Sequence, residues 1–117
     1  MRTVAMDPLT FAGFRQANMT IRGRGKKFPE LAVWSPMEWG CALAGEIGEC
    51  LNLVKKLQRR RPTDPPPEEL LPMIADELGD SFIYLDLLAS RLGIDLGAAV
   101  RRKMKKVVAK RGVEIDL

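Results

Sequence analysis

Arg61-Pro-Thr-Asp-Pro-Pro-Pro67 is the stretch on which the fold turns. Its prolines remove backbone donors and clash with a preceding helical turn, so no helix can cross it. On either side lies a long segment whose apolar residues recur at three- and four-residue intervals. The upstream segment opens with Ser35-Pro36-Met37-Glu38. This is a serine cap, a proline at the first helical position and a glutamate in capping-box position. A helix is expected from there to about Arg60. The downstream segment predicts a helix from about Glu68 to Arg91, with Pro72 near its start and Gly93 as terminator. Two long helices joined by a short turn form an antiparallel hairpin.

Further out, Asp7-Pro8 reads as an N-cap and a first helical proline, predicting a helix from about Pro8 to Thr20. Arg22-Gly-Arg-Gly-Lys-Lys-Phe-Pro29 has no periodicity and reads as a loop, and its glycine spacing matches no phosphate-binding loop. Asp95 caps a fourth helix to about Arg111, closed by Gly112. No segment shows strand alternation. The expectation is an all-α single domain over residues 1–117. It is a bundle of about four helices around the central hairpin, completed by dimerisation that covers the apolar faces.

Each hairpin helix carries an acid-x-x-acid pair: Glu46-Ile-Gly-Glu49 and Glu77-Leu-Gly-Asp80. At about 100° per residue, Trp39, Leu53 and Leu57 lie within roughly 20° of Glu46, and Leu70, Tyr84 and Leu88 within roughly 20° of Glu77. All four acids are therefore expected on the sides of the helices that should be buried. Counting back and forward from the proline turn brings both pairs to similar heights, predicting one four-carboxylate cluster. Clustered carboxylates away from water repel one another, and divalent cations are the usual compensation. An all-oxygen set suits magnesium, with manganese as a substitute.

The acids and their surroundings resemble a known family. Gly45-Glu-Ile-Gly-Glu-Cys-Leu-Asn-Leu-Val-Lys-Lys56 and Ala75-Asp-Glu-Leu-Gly-Asp-Ser-Phe-Ile-Tyr-Leu-Asp-Leu-Leu88, separated by the spacer 50–76, look like the MazG-type nucleotide pyrophosphohydrolases. The similarity continues through Arg91-Leu-Gly-Ile-Asp-Leu96 and Lys103-Met-Lys-Lys-Val-Val-Ala-Lys-Arg-Gly112, covering roughly residues 35–112. The resemblance implies an all-α enzyme that hydrolyses (deoxy)nucleoside triphosphates to the monophosphate and pyrophosphate with magnesium. It also implies Glu46, Glu49, Glu77 and Asp80 as metal-binding, catalytic acids and a role in nucleotide-pool housecleaning. Where family members often carry Lys-Phe-Asn, this chain has Lys103-Met104-Lys105, a departure that touches the tail and substrate preference rather than the metal site.

The chain has no histidine, which removes Ser-His and Cys-His catalysis and ordinary catalytic zinc sites. A general base must then be a carboxylate or a metal-bound hydroxide. Cys41 and Cys50 would stand ~13 Å apart on one helix, too far for a disulfide, and read as small buried apolar residues. No apolar run approaches the length of a membrane span, and the first residues lack a secretory leader's apolar stretch, so the cytoplasm is the expected location.

For substrate contacts, Lys56 is the first cation to consider for a phosphate, against a structural pair with Glu49. Lys103 and Arg111 can reach phosphates or simply complement a helix end. Asn52 can meet a base or sugar. Trp39 can stack on a nucleobase, with core packing the slightly favoured alternative. Asp86 reads as an ordinary helix residue. The net charge of +4, much of it in residues 101–111, leaves a second reading: a non-catalytic basic helical protein that binds nucleic acid or acts as an assembly module. That reading does not explain inward-facing acids, so nucleic acid is not expected as the partner; a nucleoside triphosphate and a second copy (homodimer or homotetramer) are.

Overall fold

A computed structural model describes residues 9–24 and 30–117, apart from the side chain of Arg24. The described residues form four α-helices and one 3₁₀ turn, with no strand among them. In chain order these are α1 (Phe11–Arg24), the 3₁₀ turn (Leu31–Val33), α2 (Pro36–Arg59), α3 (Pro67–Arg91) and α4 (Leu96–Lys110). The α2–α3 hairpin is the body of the fold and its most extensive contact. α1 packs chiefly on α3, and α4 touches α1 and α3. No described helix is long and apolar enough to cross a membrane.

The cap of α2 is as its sequence implies. Glu38 N donates to Ser35 Oγ and Ser35 N to Glu38 Oε1, both at 3.2 Å, satisfying two otherwise orphaned donors. At the other end Arg60 adopts left-handed geometry with φ 52°, which is strained for a residue with a Cβ. Asp64 holds that turn. Its carboxylate accepts from the Arg59 guanidinium at 2.9 and 3.1 Å and from Arg61 N at 2.7 Å. The proline stretch is thus a built turn as well as a helix breaker.

Cys50, Leu70 and Ile74 form a buried cluster in the hairpin, with Leu53, Val54 and Leu57 against it. Trp39, Leu70 and Leu87 are fully buried, each contributing about 1.5–3 kcal/mol by removal of apolar surface from water. Cys50 follows expectation, but Cys41 is exposed: it sits on the outer face of α2.

α1 departs from the sequence reading at both ends. The Asp7-Pro8 start lies outside the described residues. The described helix begins at Phe11, and Thr10 Oγ1 accepts from Gly13 N at 2.9 Å as its cap. It continues to Arg24, so Arg22 and Gly23 are helical, while residues 25–29 of the expected loop lie outside the described residues. The extension brings Arg22 over the Trp39 ring, 5.7 Å from its centroid, a packing gain that offsets the poor helix propensity of Gly23.

The anchor of α1 is polar. Asp86, 2 % exposed on α3, accepts from Arg15 Nε at 2.9 Å and from Asn18 Nδ2 at 3.1 Å. Asn18 Nδ2 also reaches Ile83 O, and Arg15 Nη2 donates to Ile94 O at 2.8 Å beyond the end of α3. Asp86 is therefore a buried clasp rather than an ordinary helix residue. A buried carboxylate persists because donors surround it.

Candidate metal centre

The hairpin brings the two acid pairs together. One carboxylate oxygen each from Glu46, Glu77 and Asp80 lies within 4.8 Å of the other two. Glu46 and Glu77 are half-buried, whereas Glu49 and Asp80 are exposed. The expectation that all four acids are buried is thus corrected. A three-residue step rotates each second acid by about 60°, enough to carry it from the seam to its rim. The cluster thus has two half-buried acids at the seam and two exposed acids at its rim.

Glu77 is its electrostatic centre. Its carboxyl is raised above the ordinary range, first by the close contact with the Glu46 carboxyl, then by burial and the charges of Glu46 and Asp80. Contact with Glu49 acts the other way, which places the fourth acid within reach of the same group. Glu77 Oε2 is buried and has no hydrogen-bond donor. Its neighbours are themselves carboxylates, acceptors when ionised, so a donor can come only from a shared proton. A buried acceptor in that position costs free energy that a cation would recover.

The residues fit a hard divalent ion. The set is all oxygen, drawn from two helices of one hairpin, with an exposed side through which an ion and an anionic ligand can enter. No histidine or thiolate competes for it, since Cys50 is packed into the apolar cluster.

The other expected contacts divide. Lys56 is half-buried on α2 and makes no ion pair with Glu49; the ion pairs among the described residues are Arg15–Asp86 and Arg59–Asp64. Asn52 is exposed on α2. Lys103 and Arg111 are exposed on and just after α4, and neither pairs with an acid of the cluster. Trp39 requires a correction. It is fully buried, with Nε1 donating to Leu31 O at 2.9 Å and ring centroids of Trp34 at 4.6 Å and Tyr84 at 6.1 Å. With no exposed surface, Trp39 is a core residue and offers no face for stacking.

Sequence reasoning missed Arg15, Asn18 and Asp86. Arg15 and Asn18 share a face of α1 at three-residue spacing, a polar patch on a helix whose neighbours are apolar. That was the available signal, but its partner lies 71 residues on from Arg15. Comparison with protein-family profiles finds no match to this chain, and comparison with curated proteins finds none.

Proposed function

We propose that the chain is a divalent-metal-dependent hydrolase of MazG type that cleaves (deoxy)nucleoside triphosphates to the monophosphate and pyrophosphate. The observation that carries this reading is the oxygen triad of Glu46, Glu77 and Asp80, with the donorless, buried Oε2 of Glu77 in it. Nothing in the hairpin's packing calls for that arrangement, and its repulsion opposes folding.

Glu46, Glu77 and Asp80 would hold the metal, with exposed Glu49 as a fourth ligand. Magnesium, or manganese in its place, would supply charge neutralisation of the phosphate chain and polarisation at the reacting phosphorus. The chain's own residues do the rest. Glu49, exposed at the rim and within reach of Glu77, would take a proton from an attacking water. Attack at the α-phosphorus forms one P–O bond and breaks the bond to the β-phosphate's bridging oxygen, releasing pyrophosphate. Half-buried Lys56, about two turns further along α2 than Glu49, would be the cation for the phosphate chain. The clearing of unwanted nucleotides is a fitting purpose for such a reaction, carried out by a homodimer or pair of dimers in the cytoplasm.

A second reading draws on α4, whose six lysines and arginines are all exposed and in no ion pair among the described residues. It makes the protein a nucleic-acid-binding module and predicts salt-sensitive binding without metal. It leaves the acid triad without a role.

The deciding experiment is pyrophosphate release from a panel of nucleoside triphosphates, with magnesium, with manganese and with chelator. Metal-dependent release with monophosphate as co-product is expected, and Glu49→Gln should abolish it while the helical circular dichroism stays unchanged. Full activity in Glu49→Gln would remove the acids from the mechanism. No release with any triphosphate would turn attention to the binding reading.

A further inference from the structure

From Leu96 to Val113 the chain holds no aspartate or glutamate, and seven lysines and arginines stand between Arg101 and Arg111. Every residue from Val100 to Val107 is exposed, so these turns of α4 stand in water. Their side chains are sorted by face. At about 100° per residue, Val100, Met104 and Val107 fall within roughly 60° of one another and form a ridge. Arg101 and Lys105 border that ridge on one side, and Lys103 and Lys110 on the other. The result is an apolar line with cations along both flanks.

The ridge continues past the foot of α4. Gly97 lies about 20° from Met104 around the helix, and it sits against Phe11 at the start of α1. Phe11 is 41 % exposed, and Leu9, two residues earlier, is 75 % exposed. Both line an apolar cleft of about 340 Å³ between α1 and α3. One apolar surface therefore runs from the mouth of this cleft along the ridge, with the cations of α4 beside it.

Charge and shape together select the partner. A nucleic acid answers the cations but leaves Leu9, Phe11 and the ridge in water. A second copy laid ridge to ridge sets Arg101, Lys103 and Lys105 against their own counterparts, with no acid in the helix to offset them. An anionic lipid surface answers both features. Apolar side chains enter the boundary of the acyl region, while the flanking lysines and arginines run their stems alongside and leave their charges at the level of the phosphates.

We infer that α4, with Leu9 and Phe11 at its foot, seats the protein on an anionic lipid surface. The helix lies in the interface and does not cross it: its 15 residues are about 22 Å long and far too polar to span. None of these residues belongs to the acid cluster, so the attachment stands whether or not the proposed reaction does.

Co-sedimentation of the full chain with vesicles tests it, in chelator so that the acid cluster takes no part. Phosphatidylcholine vesicles with roughly 30 % phosphatidylglycerol should carry the protein down at low salt, and pure phosphatidylcholine should bind it at least 10-fold more weakly. Salt at about 0.5 M should release most of it, because exposed charges are screened. Lys103→Gln/Lys105→Gln should weaken binding about 10-fold or more. Met104→Asp should do the same with every cation in place. All three sites are exposed, so helical circular dichroism should not change. Emission from Met104→Trp should shift to the blue on the mixed vesicles, which reports entry of the ridge beyond charge attraction alone. Equal binding to both vesicle types, binding that Met104→Asp leaves intact, or an unshifted Met104→Trp would overturn the inference. So would capture of a single-stranded oligonucleotide with no binding to either vesicle, which would give the cations of α4 to nucleic acid.

Discussion

Glu46 and Glu77 meet carboxylate to carboxylate across the α2–α3 seam, with no ion pair from the described chain to either. Neighbouring acids in a hairpin otherwise built on Leu70, Ile74 and Cys50 oppose the packing that brings them together. Glu77→Gln separates the cost from the function. In chelator the variant should be at least as heat-stable as the parent, because a repelling charge is gone and an amide supplies donors. Its magnesium affinity should fall about 100-fold or more, beyond what loss of an outer partner typically costs. Calorimetric titration with magnesium, alongside thermal melts with and without the ion, measures both. A variant that binds magnesium like the parent would place the ion elsewhere.

The same pair makes metal-free stability depend on pH in a defined direction. The folded-state value of Glu77 lies above the ordinary 4.5, mainly through its contact with Glu46. Such a group favours the fold while protonated. Its contribution is complete below pH 4.5 and is lost as pH rises through the raised value. Asp64 works in the opposite sense. The Arg59 hydrogen bonds, supported by Arg61 N and the charges of Arg59 and Arg60, hold it at about 2, below its ordinary 3.8. Its contribution is complete above pH 3.8 and fades as pH falls toward 2. Thermal melts in chelator from pH 3 to 8 should therefore lose the upper slope in Glu77→Gln and weaken the acid-side fall in Asp64→Asn. Magnesium should flatten the upper slope in the parent. An upper slope unchanged by Glu77→Gln would locate the titrating group elsewhere.

The clasp on Asp86 predicts a larger effect on stability than any acid of the cluster. Asp86→Ala leaves Arg15 and Asn18 with donors facing a buried void. Loss of one member of a buried pair typically costs about 3–5 kcal/mol, and the partial exposure of Arg15 reduces this to roughly 2–3 kcal/mol. Urea unfolding monitored by circular dichroism gives the magnitude. Hydrogen exchange should show the loss concentrated in residues 11–24, since α1 is the element that Asp86 retains. Uniform loss of protection across α2 and α3 would contradict the assignment of the clasp to α1.

Most of the hairpin was legible because its determinants are local. The Ser35–Glu38 box, the proline turn and the 3.6-residue period each act within a few residues, and the structure follows them to within about one residue at each end of α2 and α3. The meeting of Glu46 with Glu77 was legible for the same reason, as a count of residues from one turn. Asp86 was hidden because periodicity does not distinguish a solvated carboxylate from one whose donors arrive from residues 15 and 18. The end of α1 was hidden by the glycines at 23 and 25, whose low helix propensity is outweighed at Gly23 by the packing of Arg22 on Trp39. Trp39 lay on the acid side of α2 by angle, but angle does not reveal that Trp34, Tyr84 and Arg22 pack around it and leave it fully buried.

Gly97 supplies a sharper test of how α4 is seated. A Cβ at this position would stand 2.8 Å from Phe11 Cβ and 3.1 Å from its Cγ, where no real Cβ can sit. The obstruction is the root of a side chain on the first turn of α1, not a flexible end, so α1 or α4 must move. In an unconstrained helix, Gly→Ala stabilises by about 0.5–1 kcal/mol. Here the contact should reverse the sign, and overpacking of this kind costs about 1–3 kcal/mol. Gly97→Ala should therefore lower stability in urea unfolding, and it should cost less in a Phe11→Gly background, which lacks the obstructing Cβ, than in the parent, a coupling that a double-mutant cycle measures directly. If Gly97→Ala instead stabilises the parent, the close approach of α1 to α4 is not held in solution. Magnesium binding at Glu46, Glu77 and Asp80 should be indifferent to either change, because the acids are held by α2 and α3 alone.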